Sequence, residues 1–200
     1  MGWIYREVTG SRPTDDLVFQ AASATKESDG QPFQDHQLQQ YILKSGSLRP
    51  GDRFEATYSI PTSIYPGTYE NAITNYRIVN KNGQDVTNTY TGIQVLSGTL
   101  EITKRRITIV SGSATKVDDG ISLTCGDYWI AQGSLAPGDR LELDLPMSIL
   151  LSTTVENTIE NVRILRKDPL NLFRERNITW ECYSIQLIHG TLTVLKADTA

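Results

Sequence analysis

The sequence has few cysteines, histidines and methionines, and it carries little net charge of either sign. Among its 200 residues there are two of each of these three types, and 19 basic side chains stand against 23 acidic ones. Neither half has the basic surface that nucleic acids or anionic lipids require. We therefore expect no nucleic-acid partner.

Long apolar runs are also missing. No stretch approaches the roughly 18 apolar residues of a membrane-spanning helix. The N-terminus lacks the charged-then-apolar pattern of a signal peptide. We expect no membrane insertion, and if the parent protein is exported, its targeting signals lie outside this sequence.

The signatures of common catalytic and metal sites are absent from the sequence. It contains no Gly-x-Ser-x-Gly, no His-Glu-x-x-His and no phosphate-binding loop. The two histidines, His36 and His189, fall in different halves of the chain. Asp118-Asp119-Gly120 clusters oxygen ligands, but its spacing fits no EF-hand loop. The sequence therefore predicts no enzyme, no cofactor and no metal site.

What the sequence does contain is an internal repeat of roughly ninety residues. Four blocks recur in the same order, at offsets between 86 and 92 residues. The matched blocks are Ser23–Lys26 with Ser113–Lys116, Gly46–Arg53 with Gly133–Arg140, Glu70–Ile78 with Glu156–Ile164, and Gly98–Lys104 with Gly190–Lys196. The drift in offset places insertions between the blocks, where loops tolerate them. We infer two copies of one module.

The repeated blocks have the patterns of short strands. Leu141, Leu143 and Leu145 alternate with acidic residues, which is typical of a strand with one buried face. Many short strands with frequent turn signals favour a sandwich or a barrel-like module. The predicted fold class is all-β, with two homologous, small β-sandwich-like modules end to end and a β-grasp-like module as the alternative.

Glycines mark the predicted turns. Pro50-Gly51 and Pro137-Gly138 fit the central positions of type II turns, where proline presets φ and glycine accepts a positive φ. Gly98 and Gly190 separate two alternating runs, which predicts a bulge or a tight hairpin turn at each glycine.

The repeat predicts the domain boundaries. Residues 1–16 form an N-terminal segment, residues 17–105 form module 1, and residues 106–200 form module 2. The sequence of the N-terminal segment allows it to be the end of a preceding repeat. The stretch 101–109 contains neither glycine nor proline, so one strand is expected to pass almost directly into the next. Such a connection predicts a semi-rigid pair of modules.

The motifs resemble a family of bacterial surface modules. The order is Ala-Thr-Lys-x-x-Asp-Gly, then Pro-Gly-Asp, then Asn82-Gly83-Gln84-Asp85-Val86-Thr87, then Gly-Thr-Leu. It is similar to the tandem MBG-type repeats of adhesin-like proteins, although Ser28 and Asp118 replace the tyrosine of that pattern. The resemblance implies an extracellular, cell-surface location, with attachment through parts of the parent protein outside this sequence. It also implies a non-catalytic stalk or adhesive role.

The second copy departs from this pattern between Lys167 and Trp180, where a longer segment predicts an exposed contact loop. Arginine and aromatic side chains are common anchors in interfaces. The candidate binding residues are Arg166, Lys167, Phe173, Arg174, Arg176 and Trp180. Alternatively, Leu172 and Phe173 fold back onto their own domain. The expected partners are a host glycan or protein, bound at this loop or in a groove between the modules, or neighbouring repeats of the same chain.

Both cysteines, Cys125 and Cys182, fall in the second copy. An even count in an exported β-domain permits a disulfide between them. Two separate buried thiols are the alternative, and the first copy has no cysteine at either matching position. The fold therefore does not depend on such a bond.

Overall fold

The computed structural model describes residues 16–34, 38–168 and 171–197, without the side chains of residues 171–173. Its regular structure is almost entirely β, which confirms the predicted fold class at that level, and the several sheets are consistent with a sandwich-like arrangement. The predicted N-terminal segment lies outside the described residues apart from Asp16.

The described residues divide into two compact units. Unit 1 contains residues 16–25, 32–34, 38–63 and 68–101, and unit 2 contains residues 26–31, 64–67, 102–168 and 171–197. Two short segments that precede the predicted boundary at residue 105 thus belong to unit 2, and the chain passes into unit 2 for the last time after residue 101.

The strands follow one another in the same way in the two halves. In the first half they are β1 (Val18–Ala21), β2 (Ala24–Glu27), β3 (Tyr41–Ser45), β4 (Arg53–Ser59), β5 (Gly67–Val79), β6 (Gln94–Leu96) and β7 (Gly98–Thr103), with a 3-10 turn at Thr87–Thr89 before β6. In the second half they are β8 (Arg105–Ser111), β9 (Ala114–Val117), β10 (Tyr128–Gln132), β11 (Asp139–Asp144), β12 (Thr154–Asn157), β13 (Glu160–Asp168), β14 (Asn171–Asn177), the one-turn helix α1 (Thr179–Cys182), β15 (Tyr183–Ile188) and β16 (Gly190–Leu195).

Strand pairing also follows one pattern in both halves. β1 pairs antiparallel with β3 and parallel with β6, and β8 pairs in the same two ways with β10 and β15. The order β2-β7-β5-β4 corresponds to the two sheets β12-β16-β9 and β11-β13-β14. The second half interrupts the long strand β5 to give β12 and β13, and it adds β14.

Each unit has its own apolar core. In unit 1 the buried cluster contains Phe19, Phe54 and Ile78, and the rings of Phe19 and Phe54 stack at 3.8 Å between centroids. In unit 2 the corresponding cluster contains Ile109 and Ile164, both fully buried. Phe54 and Ile164 each follow an exposed residue in their strands, as a period-two pattern requires, whereas Ile78 and Ile109 each have a buried neighbour.

The two Pro-Gly turns are confirmed. Gly51 and Gly138 have φ values of +88° and +83°, in the left-handed region that glycine adopts without strain. In each turn the N–H of the following aspartate donates to the carbonyl three residues earlier, at 3.0 Å. These hydrogen bonds fix the start of β4 and of β11.

The prediction for Gly98 and Gly190 is wrong. Neither glycine has a positive φ, and each is the first residue of a strand. A Cβ on Gly98 would lie 2.1 Å from the carbonyl oxygen of Ala22, and one on Gly190 would lie 2.2 Å from that of Gly112. Glycine is needed here because two main chains approach too closely for any side chain.

Candidate binding surface

The segment predicted to be an exposed loop is mostly a β-hairpin. β13 and β14 pair antiparallel, with Lys167 opposite Glu175 and Arg166 opposite Arg176. Residues 169–170, which lie between β13 and β14 in the sequence, and the side chain of Phe173 lie outside the described residues. The question of whether Phe173 faces the solvent or its own domain therefore stays a prediction.

Arg166 lies in the protein interior and not on the predicted surface. Its side chain is only 10% exposed, and it forms a bidentate ion pair with the fully buried carboxylate of Asp139. The Nε–Oδ1 distance is 2.7 Å and the Nη2–Oδ2 distance is 2.8 Å. Because the Nε–Nη2 edge of its guanidinium is committed to this buried pair, Arg166 acts as a structural residue.

The other charged candidates in the hairpin and the nearby tryptophan are exposed. Trp180, on α1, is 62% exposed. Arg176 pairs with Glu181 at 2.8 Å, and its guanidinium lies 4.5 Å from the ring centroid of Tyr65. Lys167 and Arg174 are also exposed. We call Lys167, Arg174, Arg176 and Trp180 the hairpin patch.

The buried ion pair belongs to a larger network in unit 2. The Tyr183 hydroxyl donates to Asp139 Oδ2 at 2.5 Å and accepts from the N–H of Ala136 at 2.8 Å. Burial and the adjacent Asp139 carboxylate raise the pKa of Tyr183 to about 12, against the opposing hydrogen bond from Ala136. Burial lowers the pKa of Arg166, but the hydrogen bonds and charge of Asp139 outweigh it and the net change is upward.

The first half contains the same network without the buried arginine. The Tyr90 hydroxyl donates to Asp52 Oδ2 at 2.7 Å and accepts from the N–H of Arg49 at 3.0 Å. Arg49 instead places its guanidinium over the Tyr90 ring, 4.6 Å from the centroid. The signal for this network was present in the sequence, because Pro-Gly-Asp and a later tyrosine occur in both copies.

A second shared contact corrects the interpretation that the second copy replaces the whole turn motif. The threonine hydroxyl of Asp85-Val86-Thr87 accepts from the N–H of Ile78 at 2.8 Å. In the second half, Asn177-Ile178-Thr179 does the same for Ile164 at 2.7 Å. Only the preceding Asn-Gly turn is replaced, by the β13–β14 hairpin.

The two cysteines are not bonded to each other. Cys182 is fully buried in the core cluster with Ile109, whereas Cys125 is half-buried beside a separate cluster with Leu192. Burial raises the pKa of the Cys182 thiol. The possible disulfide is therefore not formed in this structure, and the alternative of two separate thiols describes it.

His189 has a structural contact, since its Nδ1 accepts from the N–H of Ile159 at 3.0 Å. His36 lies outside the described residues. Among the described side chains, no group of three histidines, cysteines or acidic residues is placed to hold a metal ion. Asp119 is instead paired with Lys116.

Unit 2 also has a surface groove of about 500 Å³ next to β10, β11 and β13. Tyr128, Leu143 and Leu145 give it apolar walls, and Asp144 and Asn161 give it polar groups. The Asn161 amide donates to Asp144 Oδ2 at 2.8 Å, which holds both groups in place.

Comparison of the chain with protein-family models, with curated proteins and with solved structures gave no match. Within residues 16–34, 38–168 and 171–197, no helix is long and apolar enough to cross a membrane.

Proposed function

We propose that this chain is a non-catalytic, structural and adhesive repeat module of a bacterial cell-surface protein, in which it acts as a semi-rigid spacer. The extracellular location and the attachment through other parts of the parent protein come from the resemblance to MBG-type repeats. The spacer role has support from the contacts of the repeated residues.

The main support is that the repeated residues make the same stabilising contacts in both halves. Asn71 is fully buried and donates from Nδ2 to two main-chain oxygens, at 2.9 and 3.1 Å, and Asn157 does the same at 3.0 Å. Ser23 and Ser113 each accept a main-chain N–H at 2.9 Å. A repeated polar residue that is committed to the fold is not available for chemistry, so the repeat preserves a scaffold.

The connection between the two halves supports stiffness. β7 ends at Thr103 and β8 begins at Arg105, so Lys104 alone separates the two strands. A flexible linker needs a run of residues with free backbone rotation. One residue between two strands leaves few rotatable bonds.

Small-angle X-ray scattering of the full chain tests the spacer role. We expect one rigid arrangement to fit the profile. The control is the same chain with eight Gly and Ser residues inserted between Lys104 and Arg105, for which we expect a broad ensemble. If the scattering profile of the unmodified chain can be fitted only by an ensemble as broad as that of the control, the semi-rigid spacer is refuted.

A second candidate function is a dedicated glycan- or protein-binding module. The exposed Trp180 and the groove beside Tyr128 favour it, because aromatic and arginine anchors dominate binding energies. The test is binding to an array of host glycans and host surface proteins. A hot spot at Trp180 predicts a roughly thirtyfold loss of affinity in Trp180→Ala.

Trp129→Ala is the matched control, because Trp129 is 51% exposed on β10 and belongs neither to the groove lining nor to the hairpin patch. Loss of binding in Tyr128→Ala alone would assign recognition to the groove, which Tyr128 lines. The absence of any binding in the parent chain would remove the second candidate.

A further inference from the structure

Two short segments of the first copy are well covered in unit 2. Ser28 is fully buried, and its carbonyl oxygen accepts from Arg105 Nε at 3.1 Å. A Cβ on Gly30 would lie 3.4 Å from Cζ of Arg166. Tyr65 is half-buried beneath the guanidinium of Arg176. Ser28, Gly30 and Tyr65, in the segments 26–31 and 64–67, are thus packed within unit 2, whereas Glu27 and Gln31 are exposed.

The equivalent positions of the second copy are uncovered. By the offsets of the repeat, Ser28 corresponds to Asp118, Gly30 to Gly120 and Tyr65 to Leu151. All three counterparts are exposed, and Leu151 is 76% exposed. A Cβ on Gly120 would have no neighbour within 4 Å. The same local structure is therefore covered in one copy and open in the other.

The open surface is apolar. Five large aliphatic side chains on it are between 49% and 76% exposed: Val117, Ile121, Leu150, Leu151 and Leu195. We call this set the tail patch. In the first copy the same positions hold Glu27, Gln31, Ile64, Tyr65 and Thr103.

The backbone brings the tail patch together. Val117 and Leu195 are direct partners in the β9–β16 register. The N–H of Asp118 donates to the carbonyl of Leu195 at 2.8 Å, and the hydroxyl of Ser152 donates to the Asp118 carboxylate at 3.3 Å. Lys116 donates to the carbonyl of Ile121. Single exposed aliphatic side chains are common, but a contiguous group of them marks an interaction surface.

We propose that the tail patch is the docking surface for a further β-module of the same repeat. That module would follow the second copy as β8 follows β7, and it would cover the tail patch as unit 2 covers Ser28, Gly30 and Tyr65. It would present its counterparts of Arg105, Arg166 and Arg176. Asp118, in place of Ser28, adds a carboxylate at the position whose counterpart is contacted by Arg105. The inference rests on the proposed repeat-module function.

The test extends the full chain by one module. Because Lys196 corresponds to Lys104, a duplicate of residues 105–197 is placed directly after Lys196. Leu151→Cys, in the original copy only, supplies a thiol probe, and every cysteine at position 125 is replaced by serine. We expect thiol modification at position 151 to be about tenfold slower in the extended chain than in the unextended chain.

The controls separate docking from other effects. Ile42→Cys, at a site that is 55% exposed on β3, should react at the same rate in both chains. Adding Ile121→Asp and Leu195→Asp to the original copy should restore fast modification at position 151. Circular dichroism checks that each variant is folded. If the variant with both aspartates is unfolded, the single Ile121→Asp change takes its place.

Equal rates at position 151 in the extended and unextended chains would overturn the proposal. Thiol modification at position 151 of the unextended chain that becomes slower at higher protein concentration would also overturn it, because a second copy of the chain would then be the occupant. The scattering profile of the unextended chain at low concentration does not depend on what docks on the tail patch. The docking proposal and the spacer proposal can therefore fail separately.

Discussion

Asp139→Asn removes one charge from the buried network of unit 2 and leaves its shape almost unchanged. The Asp139 side chain is fully buried and that of Arg166 is 10% exposed, so water cannot replace the lost carboxylate. The asparagine oxygen can still accept from Tyr183, but its NH₂ group opposes one N–H of Arg166. The guanidinium stays charged because its pKa is raised above a value that is already high.

The expected loss is about 3–5 kcal/mol in the free energy of unfolding of unit 2, because breaking a buried ion pair leaves an uncompensated charge. The total free energy of unfolding of a domain is about 5–15 kcal/mol. Replacing both partners, as in Asp139→Leu with Arg166→Met, should be much less harmful, since no buried charge remains.

Asp52→Asn is the matched control in unit 1. Asp52 accepts from Tyr90 but has no buried arginine partner, so the expected loss is about 1–2 kcal/mol. Urea unfolding followed by tryptophan fluorescence reports on unit 2, where Trp129 and Trp180 lie, in a background with Trp3→Phe. Asp52→Asn should leave the midpoint of this signal unchanged.

Two results would refute the reasoning about Asp139. The first is a loss in Asp139→Asn of about 1 kcal/mol, no greater than that expected for the control. The second is a double variant that is less stable than Asp139→Asn, because the remaining charge of Arg166 would then not be the source of the loss.

Three further predictions concern unit 2. Gly190→Ala should lower the free energy of unfolding by about 3 kcal/mol, because its Cβ would overlap a main-chain oxygen. Gly126→Ala has free space for a Cβ, so it should change that free energy by no more than about 0.5 kcal/mol, and urea unfolding measures both variants. The pKa of Tyr183 is about 12 in the folded state, above its ordinary value of 10.0, so its contribution to the free energy of unfolding should be fully present below pH 10 and should be lost as the pH rises to 12. Tyr183→Phe should abolish this loss in urea titrations carried out across that pH range. A thiol reagent should modify Cys125 in the native protein and Cys182 only after unfolding, and two unreactive thiols under both conditions would contradict the absence of a disulfide.

The strands and the Pro-Gly turns were predictable because their causes are local. The alternation around Leu141 follows from one buried face, and φ at Gly51 follows from the turn type. Both signals span a few neighbouring residues. They occur twice in the sequence, so each copy supports the assignment in the other.

The errors arose where the cause is a distant contact. Gly190 is required by the carbonyl of Gly112, 78 positions earlier in the sequence, and nothing in its neighbourhood reveals that approach. Arg166 stands among charged residues that are exposed, and only Asp139, 27 residues away, explains its burial. Period-two patterns assign faces to apolar residues but do not identify a buried ion pair.

Comparison of the two copies separates residues that maintain the fold from residues free to serve recognition. A side chain that occurs in both copies and makes the same contact, as Asn71 and Asn157 do, is explained by the scaffold alone. Trp180 and Leu151 differ between the copies and are exposed at positions where the scaffold does not require them. Leu151 belongs to a contiguous group of exposed aliphatic side chains, and such a group marks an interaction surface. The differences between the copies, and not the repeated motifs, are therefore where partner recognition is to be sought.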